Sequence, residues 1–244
     1  ARSTVRVFRE TVEVENGNRL ETIPHHGDPL AVLRSLTAAF RPVAVPGLPR
    51  FWGGMVGFLT YEAVSFFESI PVYLPEQTPL AHFVVPEQLF IFDNVRHTLT
   101  LVAYGFLGED SPEQVYGEAL ARLREMHDLL AMPMPERRTG VRSPVRMEPV
   151  VDPESFRSQV ARIKEYITEG DVIQAVISQP FVCSPPPDPW SLYRAQRYIN
   201  PSPYLFFLHL GDTVLVGSSP EPMVRLENGI ATLRPIAGTR PRGR

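Results

Sequence analysis

The 244 residues carry 43% hydrophobic and 21% charged side chains and a formal charge of −3. That balance excludes wholesale disorder and gives no electrostatic footing for nucleic acid, and no apolar run nears the ~20 residues that span a bilayer. The single cysteine, Cys183, excludes an internal disulfide and a cysteine-based metal cluster, and it fits a reducing cytoplasm.

Taken in chain order, Val5–Val14 is β-rich and partly alternating. The turn Glu15-Asn16-Gly17-Asn18 predicts a hairpin returning through Leu20 and Ile23. Asp28 and Pro29 form a cap and first-turn pair ahead of Leu30, Leu33, Leu36 or Thr37, and Phe40 at helical spacing. After a proline loop over Pro42–Pro49, Gly53–Phe58 predicts a strand approached closely by other backbone, and Tyr61–Ile70 a short helix. Leu89–Phe92, a turn at Asp93-Asn94 and Leu99–Phe106 predict a second hairpin. Ser111-Pro112-Glu113 starts a helix with Val115, Ala119, Leu123, Met126 and Leu130 on one face.

Residues 132–150 hold four prolines, four arginines and no apolar periodicity, and predict a linker between an N-terminal portion, 1–131, and a second region, 151–244. Beyond it, Asp152-Pro153-Glu154 begins a helix carrying Phe156, Val160, Ile163 and Ile167 and ended by Gly170. Val172–Val182 predicts a strand, Ser184–Pro189 a loop and Trp190–Ile199 a helix. Tyr204–Leu210, Val214–Gly217, Met223–Leu226 and Ile230–Leu233 predict short strands. Strands arriving as antiparallel pairs with helices between groups argue for an α+β fold.

Several chemistries are excluded by their motifs. The sequence has no phosphate-binding Gly-x-x-x-x-Gly-Lys loop, no Gly-x-Ser-x-Gly elbow and no His-Glu-x-x-His. His25-His26, His82, His97, His127 and His209 are scattered with no carboxylate spacing that promotes any of them to a metal ligand. Of the 24 basic residues only Lys164 is a lysine, so amine chemistry has one candidate side chain.

Four blocks stand in order between residues 170 and 243: Gly170-Asp171-Val172-Ile173-Gln174-Ala175-Val176-Ile177-Ser178-Gln179, Asn200-Pro201-Ser202-Pro203-Tyr204-Leu205-Phe206-Phe207, Gly217-Ser218-Ser219-Pro220-Glu221-Pro222, and Arg234-Pro235-Ile236-Ala237-Gly238-Thr239-Arg240-Pro241-Arg242-Gly243. With these the chain resembles the chorismate-utilising enzymes, within them the anthranilate synthase component I branch; Gly53–Glu62 is similar to the family as well. The resemblance implies facing antiparallel sheets with flanking helices. It implies a reaction of chorismate with ammonia giving anthranilate and pyruvate, in tryptophan biosynthesis in the cytoplasm.

The resemblance also assigns roles. Gly238 and Thr239 match chorismate contacts, and a tight glycine turn with an amide and a hydroxyl suits a carboxylate, although a purely structural turn accounts for it too. Glu221 matches the general acid; the alternative is a surface glutamate after a turn. Gln174 and Ala237 stand where other branches hold a lysine that activates water or attacks the ring, and neither residue supplies a base or nucleophile. A strand glutamine bonded to a neighbour is the plainer account of Gln174. Pro203, Tyr204 and Leu205 match a segment binding tryptophan as feedback inhibitor, with core packing as the alternative. Gln179-Pro180 departs from the family, which places a basic residue after the glutamine.

The resemblance further implies Mg²⁺ held by glutamates outside this chain, and a separate glutamine amidotransferase subunit delivering ammonia. Ala1 opens without methionine and the last residues are a Gly- and Pro-rich loop, so the expectation is a fragment whose partner half lies downstream. Aminodeoxychorismate synthase component I, and a non-catalytic regulatory or scaffold piece, stand as the alternatives.

Overall fold

The computed structural model describes residues 1–43, 45–108, 110–134 and 145–236. The chain divides into two compact units, Ala1–Glu136 and Arg137–Arg244, and every strand pairing within them is antiparallel. The fold is α+β.

In the first unit, Val5–Val14 is two strands rather than one, β1 (Ser3–Val7) and β2 (Thr11–Asn16), followed by β3 (Arg19–Pro24). Gly17, at φ +58°, makes the tight return between β2 and β3. Helix α1 (Pro29–Ala38) starts where Asp28 accepts from the Ala31 amide at 2.9 Å. Strands β4 (Val56–Leu59) and β5 (Ala81–Val85) complete a sheet in the order β3-β2-β1-β5-β4. Between them Tyr61–Phe66 is a 3₁₀ turn, shorter than the expected helix.

The alternation of β1 and β2 sends Val5, Val7, Val12 and Val14 inward with Ala81, and Val32, Leu33 and Leu36 of α1 close over them. The residues between face the other way, where Arg6 pairs with Glu13 at 3.4 Å and with Glu15. His25 is buried with both ring nitrogens used: the Gly27 amide donates to Nδ1 at 3.1 Å and Nε2 lies 3.1 Å from the Phe8 carbonyl. It is thus a structural histidine bracing the approach to α1.

The second hairpin of this unit is β6 (Gln88–Asp93) and β7 (Thr98–Ala103), and Asp93 Oδ1 accepts from the Val95 and Arg96 amides in its turn. Helix α2 (Pro112–Ala131), capped by Ser111, packs on β7, and Val115 and Met126 of the helix and Val102 of the strand are buried. Arg122 clamps it by donating to the Tyr104 carbonyl at 2.9 Å.

His82, opposite Arg6 and Phe58 in the register, is 7% exposed and its Nε2 has no hydrogen-bond partner among the described residues. Burial holds its pKa below the ordinary histidine value; Arg6 pushes the same way and Glu15 opposes. The neutral ring is therefore the folded form. Above the ordinary histidine range its contribution to stability is complete, and it is lost as pH falls below about 6.5, where the unfolded chain takes up a proton that the folded one resists. Melting curves between pH 7.5 and 5.5 are expected to lose more stability in the unmodified chain than in His82→Phe. Equal losses would remove His82 from the pH response.

In the second unit, β8 (Arg146–Pro149) pairs with β9 (Phe181–Ser184), so the end of the expected 132–150 linker is a strand; residues 135–144 of it lie outside the described residues. Helix α3 (Pro153–Glu169) is capped by Asp152 and stopped by Gly170 at φ +87°. Lys164 sits exposed along it. The expected strand Val172–Val182 is not formed over 172–180. That stretch makes no ladder, Ile173 and Val176 are 97% and 86% exposed, and apart from the Pro180 carbonyl accepting from the Val150 amide at 2.9 Å the pairing begins at Phe181. Strand propensity is realised only against a neighbouring strand, and none of the described strands lies beside these residues. Helix α4 (Pro189–Ile199) leads into β10 (Tyr204–Leu210) and β11 (Thr213–Ser219). A small hairpin follows, β12 (Arg225–Glu227) with β13 (Ile230–Thr232), turning at Asn228 and Gly229, both at positive φ.

Candidate active-site segment at the open end of a hairpin

The β10–β11 ladder is closed at one end by Gly211-Asp212, with Gly211 at φ +62°, and runs in register from Leu210 opposite Thr213 to Tyr204 opposite Ser219. A two-residue turn fixes that register. One face is held against α4, where Trp190 and Tyr193 meet the Phe207 ring edge-on at 5.4 and 6.0 Å. Gly217, opposite Phe206, leaves room for that ring: a Cβ there would come within 2.1 Å of it.

The open end holds the predicted residues. Helix α4 ends at Asn200, whose carbonyl accepts from the Ser202 amide at 2.8 Å and from Ser218 Oγ at 2.7 Å. Ser202 Oγ also donates to Asn200 Oδ1 at 3.2 Å. Pro203, exposed, leads into Tyr204, 46% exposed, and Leu205, half-buried. Opposite them β11 ends in Ser218 and Ser219. Ser219 Oγ donates to the Glu221 carbonyl at 3.0 Å and accepts from the Glu221 amide at 3.4 Å, fixing the backbone of a half-buried Glu221.

Pro203, Tyr204, Leu205 and Glu221 are therefore brought to one end of one hairpin. Gln174 is exposed on the 172–180 stretch, with no side-chain hydrogen bond among the described residues. The far end of that stretch is pinned to the β8 side by Gln179 donating to the Val151 carbonyl at 3.0 Å. Gly238 and Thr239 lie outside the described residues. Two surface hollows, of about 390 and 290 Å³, are lined by Arg9, Glu10, Thr11, Pro24, His26 and Gly27 and by Arg194, Arg197 and Tyr198, none of them a predicted site residue. Asn200, Ser218 and Ser219, whose hydrogen bonds organise this end, stand in the quoted sequence blocks, which gave them no role of their own. Counting outward from Gly211-Asp212 places both serines opposite Tyr204 and Leu205.

Comparison with known proteins places these observations. The sequence model of the family described as chorismate binding enzyme matches residues 3–244. Anthranilate synthase component 1 of Pseudomonas aeruginosa is 37% identical over 252 residues, covering 99% of this chain and 50% of that protein. The component 1 protein of Thermus thermophilus is 38% identical over 250 residues, covering 100% and 50%. The crystal structure of anthranilate synthase component I from Streptococcus pneumoniae superimposes with a TM-score of 0.73 at 28% identity, over 94% of this chain and 50% of that one. The chain spans about half the length of the curated relatives it matches.

Proposed function

The chain belongs to the chorismate binding enzyme family, and from that premise we propose that it supplies part of an anthranilate-forming active site, in which chorismate and ammonia give anthranilate, pyruvate and water. Similarity to anthranilate synthase component 1 proteins along nearly all of the chain carries the reading. The sequence supports the same branch at two positions. Gln174 and Ala237 offer no amine, and Lys164 is exposed on α3. The attacking nitrogen then comes from outside the protein.

In this reading ammonia adds at C2 of the ring and the C4 hydroxyl leaves as water. Glu221 delivers the proton that makes hydroxide a tolerable leaving group. Loss of the C2 proton and of the enolpyruvyl group then makes the ring aromatic and yields pyruvate. Gly238 and Thr239 hold a carboxylate of chorismate through an amide and a hydroxyl. Pro203, Tyr204 and Leu205 form the loop that takes tryptophan as feedback inhibitor.

A glutamine amidotransferase subunit supplies the ammonia, in the cytoplasm. Mg²⁺ would supply charge neutralisation at a chorismate carboxylate. Among the described residues no three His, Cys, Asp or Glu side chains gather into a group that could hold a metal ion, so these residues do not form such a site and no step is assigned to it. Its ligands are placed outside this chain, and the 244 residues alone are expected to turn over no chorismate. Residues 1–131 and 151–244 are read as two portions of one fold joined through 132–150.

The test is product identification. The family-length protein carrying these residues, given chorismate, ammonia and Mg²⁺, is expected to release anthranilate. Accumulation of 4-amino-4-deoxychorismate instead assigns the aminodeoxychorismate branch, and no turnover at family length favours a scaffold role.

A further inference from the structure

We propose that Arg194 and Arg197, on the exposed side of α4, are an electrostatic pair that steers a dianionic substrate toward the open end of the β10–β11 hairpin; this rests on the reading of that end as part of a chorismate site. Both side chains are exposed and, with Tyr198 at 90% exposure, line one hollow of about 290 Å³. Among the described residues neither guanidinium forms an ion pair or a hydrogen bond. Helix α4 offers no partner of its own: Pro189–Ile199 contains no acidic residue, and Asp188 caps its opposite end. Other arginines of the chain are neutralised locally. Arg122, Arg157 and Arg162 of α2 and α3 each meet a glutamate three or four residues away, and Arg225 pairs with Glu227. A paired cation projects little field past its partner, whereas an uncompensated one acts at a distance.

Position gives these charges a use. Arg197 stands in the last turn of α4, which ends at Asn200, and the Asn200 carbonyl accepts from Ser218 Oγ at 2.7 Å. Ser218 and Ser219 lead directly to Glu221. The two cations are thus set toward the end of the hairpin that holds Glu221, not the Gly211-Asp212 end. Complementing the helix terminus accounts for a cation in the last turn, but Arg194 lies one turn earlier. Chorismate carries two carboxylates, while the chain has a formal charge of −3. The average field therefore repels the substrate, and a local pair of uncompensated cations offsets that repulsion at the site. Such attraction needs no bond to the substrate. It is screened by salt, with a decay length of roughly 30 Å at 0.01 M and about 3 Å at 1 M ionic strength.

The family-length protein is assayed with chorismate, ammonia and Mg²⁺, and kcat and kcat/KM are read across ionic strength. Arg194→Gln combined with Arg197→Gln is expected to lower kcat/KM on the order of threefold at about 0.01 M and by less than about 1.3-fold at about 0.5 M, with kcat unchanged. Arg194→Lys combined with Arg197→Lys keeps both charges and is expected to match the unmodified protein at every ionic strength. Arg34 of α1 and Arg124 of α2 are exposed and have no ion pair among the described residues. Arg34→Gln with Arg124→Gln changes the net charge equally and is expected to leave kcat/KM within about 1.5-fold at about 0.01 M. The absence of a loss at low salt overturns steering. So does a loss that salt does not shrink, a loss shared by the lysine variant, or an equal loss in the Arg34 and Arg124 variant. Release of 4-amino-4-deoxychorismate with the salt-dependent loss intact overturns the anthranilate reading alone, because both branches start from chorismate. A protein that turns over no chorismate overturns both.

Discussion

Glu221→Gln is expected to lower the turnover of the family-length protein by about 10²–10⁴-fold, the range that a positioned general acid contributes, with little change in the Michaelis constant for chorismate. The amide keeps the size of the carboxyl and its hydrogen-bonding reach, so binding and folding are spared while the transferable proton is removed. The backbone at this position is fixed by Ser219 through the Glu221 amide and carbonyl, neither of which the substitution touches. A fall in turnover with an unchanged melting curve therefore reports on the acid and not on the turn. Turnover equal to the unmodified protein's would remove Glu221 from the chemistry.

The second large effect is on folding. A Cβ on Gly57 would lie 1.9 Å from the His82 carbonyl oxygen and 2.7 Å from the Phe83 Cα. Both are backbone atoms of β5, the strand that bonds β4 to the rest of its sheet. No rotamer relieves that contact, so Gly57→Ala must separate the two strands. The expected cost is about 3 kcal/mol or more, the upper end for overpacking, read as a shifted urea midpoint of the first unit. Gly217→Ala is the comparison, because there the obstacle is the Phe206 ring, a side chain able to swing away. It should cost clearly less. A Gly57→Ala midpoint within error of the unmodified chain would mean that β4 does not lie on β5.

These two positions differ in how far the sequence alone announced them. Gly53–Phe58 announced a close backbone approach by its missing side chains, and Gly57 has one. The helices were legible because their starts are local chemistry: Asp28, Ser111 and Asp152 each accept from amides of the first turn, ahead of a proline. β5 was not read at all. Ala81, Phe83 and Val85 alternate with His82 and Val84, but Val84 fills an outward position with an apolar side chain and hides the period. Its place between β1 and β4 is a long-range fact that no local window contains.

The stretch 172–180 failed in the opposite direction. Val172, Ile173, Val176 and Ile177 have strand propensity, yet a strand is a paired object, and the described strands leave this one without a neighbour. Gln174 belongs to that expected strand and stands instead on an exposed segment without regular structure. The hairpin end was half legible. Its motifs marked Glu221 and Pro203–Leu205 separately, while their adjacency follows from the register set at Gly211-Asp212. The identities of the residues gave the chemistry; the turn gave the geometry.

The claim on which the account turns is that Glu221, Gln174, Gly238 and Thr239 serve one molecule of chorismate. A crystal structure of the family-length protein with chorismate bound tests it most directly. The account predicts the Glu221 carboxyl within hydrogen-bond reach, about 2.6–3.2 Å, of the ring C4 oxygen. It also predicts the Gly238 amide and Thr239 hydroxyl on a carboxylate, and Gln174 beside C2 with no lysine near. Chorismate held elsewhere, with Glu221 and Gln174 both away from its ring, would contradict it.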